Sequence, residues 1–286
     1  MKKRIKSNAK INIGLDVVRK REDGYHELDM IMVPIDLYDL IDVEISDEAG
    51  ELSISTNKKE IPVDGSNIMA KVYNRFYEKS GIEKKKMSIY LEKNIPFSAG
   101  LGGGSGNGAE IIKFLNSYHG NRFTEEELIN MTMDIGADIP FFIVNKSARV
   151  KGIGEKIEIF ENNSDFGIIL VKPNFGINTK YAYGLIKKLK KKNRVNINEI
   201  IDGLKNKDIS KIEKNIENSI WQAVRENDKN VINFEKILKQ EEENFYMSGS
   251  GSCYFIIVAK EKSEETYKKM VEKFKECFVS LHSFLK

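Results

Sequence analysis

From Ile5 to Val17 apolar residues fall on alternate positions, Ile11, Ile13, Leu15 and Val17, which predicts a strand with Lys10, Asn12 and Asp16 on its opposite face. A polar strand face is ordinarily solvated, so the pattern leaves Lys10 open between a surface charge and a functional one. Further strand patterns cover 39–45 and 51–56, with a turn at Asp47-Glu48-Ala49-Gly50 between them, and 87–91. Helical spacing takes over at Ile68, Met69, Val72, Tyr73 and Phe76, and again at Ala109, Ile111, Ile112 and Leu115. Thr124-Glu125-Glu126-Glu127 is a capping box that opens a helix running through Met133 and stopped by Gly136. A strand-turn-strand signal at 149–160 precedes a nearly continuous apolar strand at 166–171, where a second domain is expected to open, dividing the chain into 1–160 and 161–286. Beyond it come helix patterns from Thr179, from Ile209 to Val224 and from Val231 to Leu238, a strand at 254–258, a helix at 263–274 and a closing strand at 277–284.

The length of 286 residues suits two domains of roughly 100–150 residues each. With 46 basic against 43 acidic residues the net charge of +3 singles out neither nucleic acid nor membrane as partner. Cys253 and Cys277 stand outside any Cys-x-x-Cys pair, which argues against a disulfide framework or zinc site and fits a reducing cytoplasm. No apolar run approaches the length of a membrane span, and no signal peptide is evident.

The strongest chemical signal is the stretch from Pro96 to Ala109: Pro96, Phe97, Ser98, Ala99, Gly100, Leu101, Gly102, Gly103, Gly104, Ser105, Gly106, Asn107, Gly108, Ala109. Its glycines remove the Cβ atoms that hold a backbone away from an anion and permit the positive φ angles that turn N–H groups to one side. A strand pattern before it and a helix pattern after it would put loop amides and a helix N-terminus on one phosphate. It has no Gly-Lys-Ser/Thr ending, so it is not a P-loop, and no register gives Gly-x-Gly-x-x-Gly.

Asp138 lies after a helix stop, among Ile135, Ala137, Ile139, Phe141 and Phe142, and before a residue that Pro140 should hold extended. Two readings stay open for it, a helix-capping carboxylate and a working one. Asp23-Gly24 is a turn followed at once by Tyr25 and His26. A second glycine turn, Ser248-Gly249-Ser250-Gly251-Ser252, leads into a strand, and the basic run 187–194 reads as a solvated helix end.

Three segments, Ala9-Lys10-Ile11-Asn12, the loop from Pro96 to Ala109, and Ser248 to Ser252, resemble the three motifs of the GHMP kinase superfamily, in the same order and over nearly the whole chain. Within it, Asp23-Gly24-Tyr25-His26 and Gly136-Ala137-Asp138-Ile139-Pro140 are similar to a branch acting on a cytidine diphosphate ester of a methyl-erythritol in non-mevalonate isoprenoid synthesis. The resemblance implies an α+β fold in two domains, an N-terminal ribosomal-S5-like one and a C-terminal one of antiparallel sheet with helices. It also implies ATP and Mg2+ as cofactors, a small-molecule substrate, a monomer or homodimer, and no nucleic acid or membrane. Residues 96–106 would bind ATP, with Ser105 a contact for magnesium; Asp138 would accept the hydroxyl proton, Lys10 would keep it ionised and Asn12 would orient the pair. Tyr25 and Tyr183 would sandwich a cytosine whose edge His26 would bind, although Tyr183 is also placed for helix packing. Related kinases for mevalonate-type or homoserine-type alcohols, and an RNA-binding protein, are the alternatives. The chain departs from the superfamily pattern at Ser98, Gly106 and Gly108, and carries Asn218-Ser219-Ile220-Trp221 where Asn-Asp-Phe/Leu-Glu is common.

Overall fold

A computed structural model describes residues 1–189 and 192–285; Lys190 and Lys191, in the middle of the basic run, and Lys286 lie outside the described residues. In chain order the elements are β1 (Lys2–Lys20), β2 (His26–Ala49), β3 (Leu52–Thr56), α1 (Ile68–Ser80), β4 (Lys85–Glu92), α2 (Gly103–Tyr118), α3 (Glu125–Thr132), α4 (Ile139–Val144), β5 (Ala148–Gly152), β6 (Lys156–Ile159) and β7 (Gly167–Lys172). They continue with α5 (Thr179–Leu185), α6 (Ile197–Asn206), α7 (Ile209–Asn215), α8 (Ser219–Asn227), α9 (Lys229–Glu241), β8 (Tyr246–Met247), β9 (Tyr254–Val258), α10 (Ser263–Lys273) and β10 (Phe278–Ser283).

The chain forms two compact units, the first from residues 1–9, 37–95 and 102–145, the second from 10–36, 96–101 and 146–286. Compactness thus follows a different line from the consecutive stretches 1–160 and 161–286. The reason is that β1 and β2 run for 19 and 24 residues, and each contributes residues to both units.

In the first unit β4 pairs antiparallel with the last part of β2, Leu40 opposite Glu92 and Ile45 opposite Met87, and parallel with β3, Leu52 opposite Met87. The turn at 47–50 therefore joins two strands that do not pair; β4 lies between them. Asn67 caps α1 by accepting from the Met69 N–H at 2.9 Å, and Gly81 ends it at φ 65°. α2 packs on α1 and α4, burying Val72, Tyr73, Phe76, Ile111, Ile112, Leu115 and Phe141.

α2 starts within the glycine run, six residues before the periodic apolar positions. Glycine in a helix interior costs about 1 kcal/mol relative to alanine, and here close packing explains its presence. A Cβ on Gly106 would lie 2.9 Å from the Asn8 carbonyl oxygen, and one on Gly108 would lie 2.5 Å from Ile68 Cγ2. Ile139 is not extended, as its place before Pro140 suggested, but opens α4 with the proline in the first turn, where a missing N–H leaves no helical bond unmade.

In the second unit Leu28–Met32 of β2 pair with β5, and β5 with β6, all antiparallel. A separate antiparallel sheet has the order β10-β7-β9-β8. Every residue of β7 is buried, which is why its sequence is an apolar run rather than an alternation. The opposite face of β1 is not solvated: Lys10, Asn12 and Asp16 are all buried. Lys192 and Arg194, at the end of the basic run, fold back onto the Asp16 carboxylate at 2.8 Å each rather than ending a solvated helix.

Candidate active site

The second unit brings Lys10 and Asn12 of β1 against both glycine motifs. Lys10 is 3% exposed; its Nζ donates to Asn12 Oδ1 at 2.5 Å and to the Gly100 carbonyl oxygen at 3.0 Å, and its backbone N–H bonds the Leu101 carbonyl at 3.0 Å. The Ser248 hydroxyl donates to the same Gly100 oxygen at 3.1 Å and accepts from the Asn12 N–H at 3.2 Å. Further along, the Cys253 N–H bonds the Ala99 carbonyl at 3.1 Å and the Ser252 N–H bonds the Ser98 carbonyl at 3.3 Å. The second glycine turn is therefore a backing for the first. Only glycine fits at position 100, where φ is 75° and a Cβ would lie 2.1 Å from the Ser248 carbonyl oxygen.

Positive φ recurs at Ser98, Gly100 and Gly102, with values of 50°, 75° and 72°. Alternate left-handed residues turn successive N–H groups to one side, the geometry of an anion nest. Ser98 holds this conformation with a side chain that disfavours it. Ala99 and Leu101 are buried and anchor the loop, whereas Phe97 is exposed.

The start of α2 belongs to the first unit. The first bond of α2 runs from the Gly106 N–H to the Gly102 carbonyl at 2.9 Å, so the amides of Gly103, Gly104 and Ser105 are first-turn donors with no partner inside the helix. Their partial positive charge adds to the helix dipole, and the Ser105 hydroxyl is an oxygen donor suited to a hard cation. Beside Gly103, a Cβ on which would lie 2.7 Å from Lys93 Nζ, is the buried pair Lys93–Asp39 at 2.6 Å. Asp39 Oδ1 also accepts from the N–H groups of Asn94 and Ile95, each at 2.8 Å, fixing the entry to the loop. Burial lowers the Lys93 pKa, and the Asp39 carboxylate opposes that shift. Asp138 occupies the N-cap position of α4, half-buried at φ −92° and ψ −5°, and its side chain makes no capping hydrogen bond.

His26 and Tyr183 come together, with ring centroids 4.9 Å apart at 32°. Tyr183 is half-buried on α5, and Ala182 and Leu185 rather than the tyrosine carry that helix's core contacts. The ring found against Tyr183 is thus that of His26, while Tyr25 is 57% exposed beyond the Asp23-Gly24 turn. Burial, reinforced by Lys20, lowers the His26 pKa and keeps its imidazole neutral near pH 7.

Sequence reasoning passed over Ser248 as a partner of Asn12 and of the Gly100 carbonyl, the Lys93–Asp39 pair, and Asn218. Asn218 Nδ2 donates to the carbonyls of Met247 and Gly249, each at 2.9 Å, while its Oδ1 accepts from the N–H groups of Ile220 and Trp221 at 2.9 and 3.0 Å. The capping half was hidden because Asn218 falls inside the helical spacing from Ile209 to Val224, which the structure breaks into α7 and α8. The loop-bracing half joins residues about thirty positions apart and has no local signature. Trp221 is buried, with its Nε1 donating to Glu235 and Arg225 lying 4.4 Å over its ring.

The family described as GHMP kinases N terminal domain matches residues 67–146. A 4-diphosphocytidyl-2-C-methyl-D-erythritol kinase of Fusobacterium nucleatum is 46% identical over 267 residues, 92% of this chain and 91% of that protein. Among solved structures, a 4-(cytidine 5'-diphospho)-2C-methyl-D-erythritol kinase superposes with a TM-score of 0.78 at 22% identity, over 98% of this chain and 99% of that one. The homoserine kinase of Cytophaga hutchinsonii gives 0.76 at 17% identity, over 99% and 94%. At these identities the structural likeness carries the fold, α+β in two domains.

Proposed function

The chain belongs to the 4-diphosphocytidyl-2-C-methyl-D-erythritol kinase family of GHMP kinases, and from that membership we propose that it transfers the γ-phosphoryl group of ATP to the 2-hydroxyl of 4-diphosphocytidyl-2-C-methyl-D-erythritol. One observation carries the choice of substrate: 46% identity over 91% of a relative bearing that name. The fold does not choose, because a homoserine kinase superposes almost as well.

Phosphoryl transfer asks for positioning and charge neutralisation more than covalent work. The amides from Gly100 to Ser105 hold the β-phosphate, supported by the left-handed φ at Gly100 and Gly102 and by the first-turn donors of α2. Asp138, at the N-cap position of α4, takes the hydroxyl proton, as the family resemblance implies. Lys10 favours the developing alkoxide, and Asn12, bonded to Lys10 Nζ, orients the ammonium. Magnesium, when bound, neutralises phosphate charge, and Ser105 is the hydroxyl suited to contact it. His26, Tyr183 and Tyr25 hold the cytosine, with the His26–Tyr183 pair as its platform. The setting is the cytoplasm.

An ADP-release assay across a panel of alcohols, including the cytidine ester, the free polyol, homoserine and mevalonate, tests the reading. Turnover selective for the cytidine ester is expected; a preference for any of the others assigns the chain a different alcohol.

A further inference from the structure

The face of β1 that carries Lys10 and Asn12 continues through Gly14 to Asp16, two residues at a time. Asp16 is 5% exposed and takes three side-chain donors: Lys192 Nζ at 2.8 Å and Ser219 Oγ at 2.9 Å on Oδ1, and Arg194 Nη1 at 2.8 Å on Oδ2. Lys192 Nζ also donates to the Val17 carbonyl at 2.5 Å. Between the two cations, the Asn193 backbone is held at both ends by the Gln222 carboxamide, at 3.0 and 2.9 Å. The next residue crosses the strand closely, since a Cβ on Gly14 would lie 2.6 Å from Val195 Cγ2. Residues 192–195 thus form a strap pinned to β1 and to α8, with one buried carboxylate as its main anchor.

We infer that Asp16 is a positioning residue for recognition of the nucleotide-bearing alcohol, acting through this strap on Tyr183. α5, which carries Tyr183, packs on α8, whose first residue, Ser219, bonds Asp16 and whose Gln222 holds Asn193 of the strap. The anchor therefore restrains Tyr183 through α8, and with it the ring pair to His26 at 4.9 Å. None of these contacts touches the glycine loop directly, so loosening the strap bears first on the base of the alcohol and far less on ATP. The inference rests on the kinase reading above.

Asp16→Asn keeps the shape and the Ser219 contact while removing the charge that holds two cations. Lys192 and Arg194 have side chains 21% and 62% exposed, so they turn to water rather than remain buried and unpaired. The expected result is a rise of about tenfold in KM for the cytidine ester, the scale of one charge-assisted hydrogen bond, with KM for ATP changed by less than about twofold. The double variant Lys192→Gln with Arg194→Gln releases the strap without touching Asp16 and is expected to show the same split, which keeps the test open should Asp16→Asn not fold. His26→Ala runs beside them. If it raises the ester KM while both strap variants leave it unchanged, the inference is overturned and the kinase reading stands. If His26→Ala has no effect, the base platform fails and takes the inference with it. Equal losses for ATP and ester in the strap variants, or a fall in Tm with both KM values unchanged, reduce Asp16 to a structural ion pair.

Discussion

The Lys10 ammonium donates to the carbonyl oxygen of Gly100 at 3.0 Å, so the buried cation of β1 is bonded to the backbone of the glycine loop itself. The Ser248 hydroxyl bonds the same oxygen from the second glycine turn. Three distant segments thus converge on one carbonyl, and geometry at residue 100 controls all of them.

Gly100→Ala places a Cβ where the Ser248 carbonyl oxygen already lies and forces an L-residue into left-handed backbone, which alone costs about 1–2 kcal/mol. Loss of ATP-induced thermal stabilisation together with a lower Tm is expected. Unchanged ATP protection in a thermal-shift experiment would show that the loop does not hold the nucleotide.

Asp138→Asn removes the proton acceptor while keeping its size. A positioned general base contributes about 10²–10⁴ in rate, so kcat should fall by that order while the Kd for ATP stays near the wild-type value. A variant retaining more than half its activity makes Asp138 a helix-start residue only.

Tyr183→Ala and His26→Ala should each raise KM for the cytidine ester by roughly 10–100-fold, the equivalent of about 1–3 kcal/mol of stacking, with KM for ATP hardly moved. Tyr25→Ala, on the exposed turn, should act in the same direction. Steady-state kinetics with both substrates varied separates this from a general defect, which weakens ATP as well.

What was legible in the sequence was local. The spacing of α1, the Thr124 capping box and the run of β7 were legible because each signal lies within a few residues. The burial of Lys10 and Asp16 was not, because strand alternation tells which residues share a face and not what covers it. The cover comes from 192–195 and from 248–249, nearly two hundred residues and more along the chain. The glycine run hid the start of α2 for a related reason: helix propensity argues against glycine, and only the approach of Asn8 and Ile68 accounts for it.

Asn218→Ala deletes an N-cap and two donors to loop carbonyls in one step. A cap is worth about 1 kcal/mol and a buried group left unpaired about 1–3 kcal/mol, so a loss of about 2 kcal/mol or more is expected from urea unfolding. Asn12 bonds the braced turn at Ser248, and Lys10 shares the Gly100 carbonyl with the same hydroxyl, so kcat should fall with stability. A variant as stable as wild type would show that the brace is dispensable.

All three histidines, His26, His119 and His282, have folded-state pKa values below the ordinary imidazole value, in each case mainly through burial. Lys20 adds to the shift at His26, Arg122 and Lys85 add to it at His119, and Asp36 opposes it at His282. As pH falls below about 6.5 the unfolded chain takes up protons before the folded one does, and stability declines wherever the unfolded state binds more protons. The histidine contribution is therefore complete above that pH and is lost as pH falls through the lower folded values. Glu213, whose pKa is raised by burial, acts in the opposite sense nearer its own range, and the carboxylates held low by partners, such as Asp134 beside Arg75, lose their contribution only in more acid solution. Urea midpoints measured at about pH 7.5, 6.5 and 5.5 should fall steadily, and His119→Gln should flatten the fall. A midpoint that rises toward pH 5.5 would mean that the imidazoles gain more from protonation in the folded protein than burial takes away.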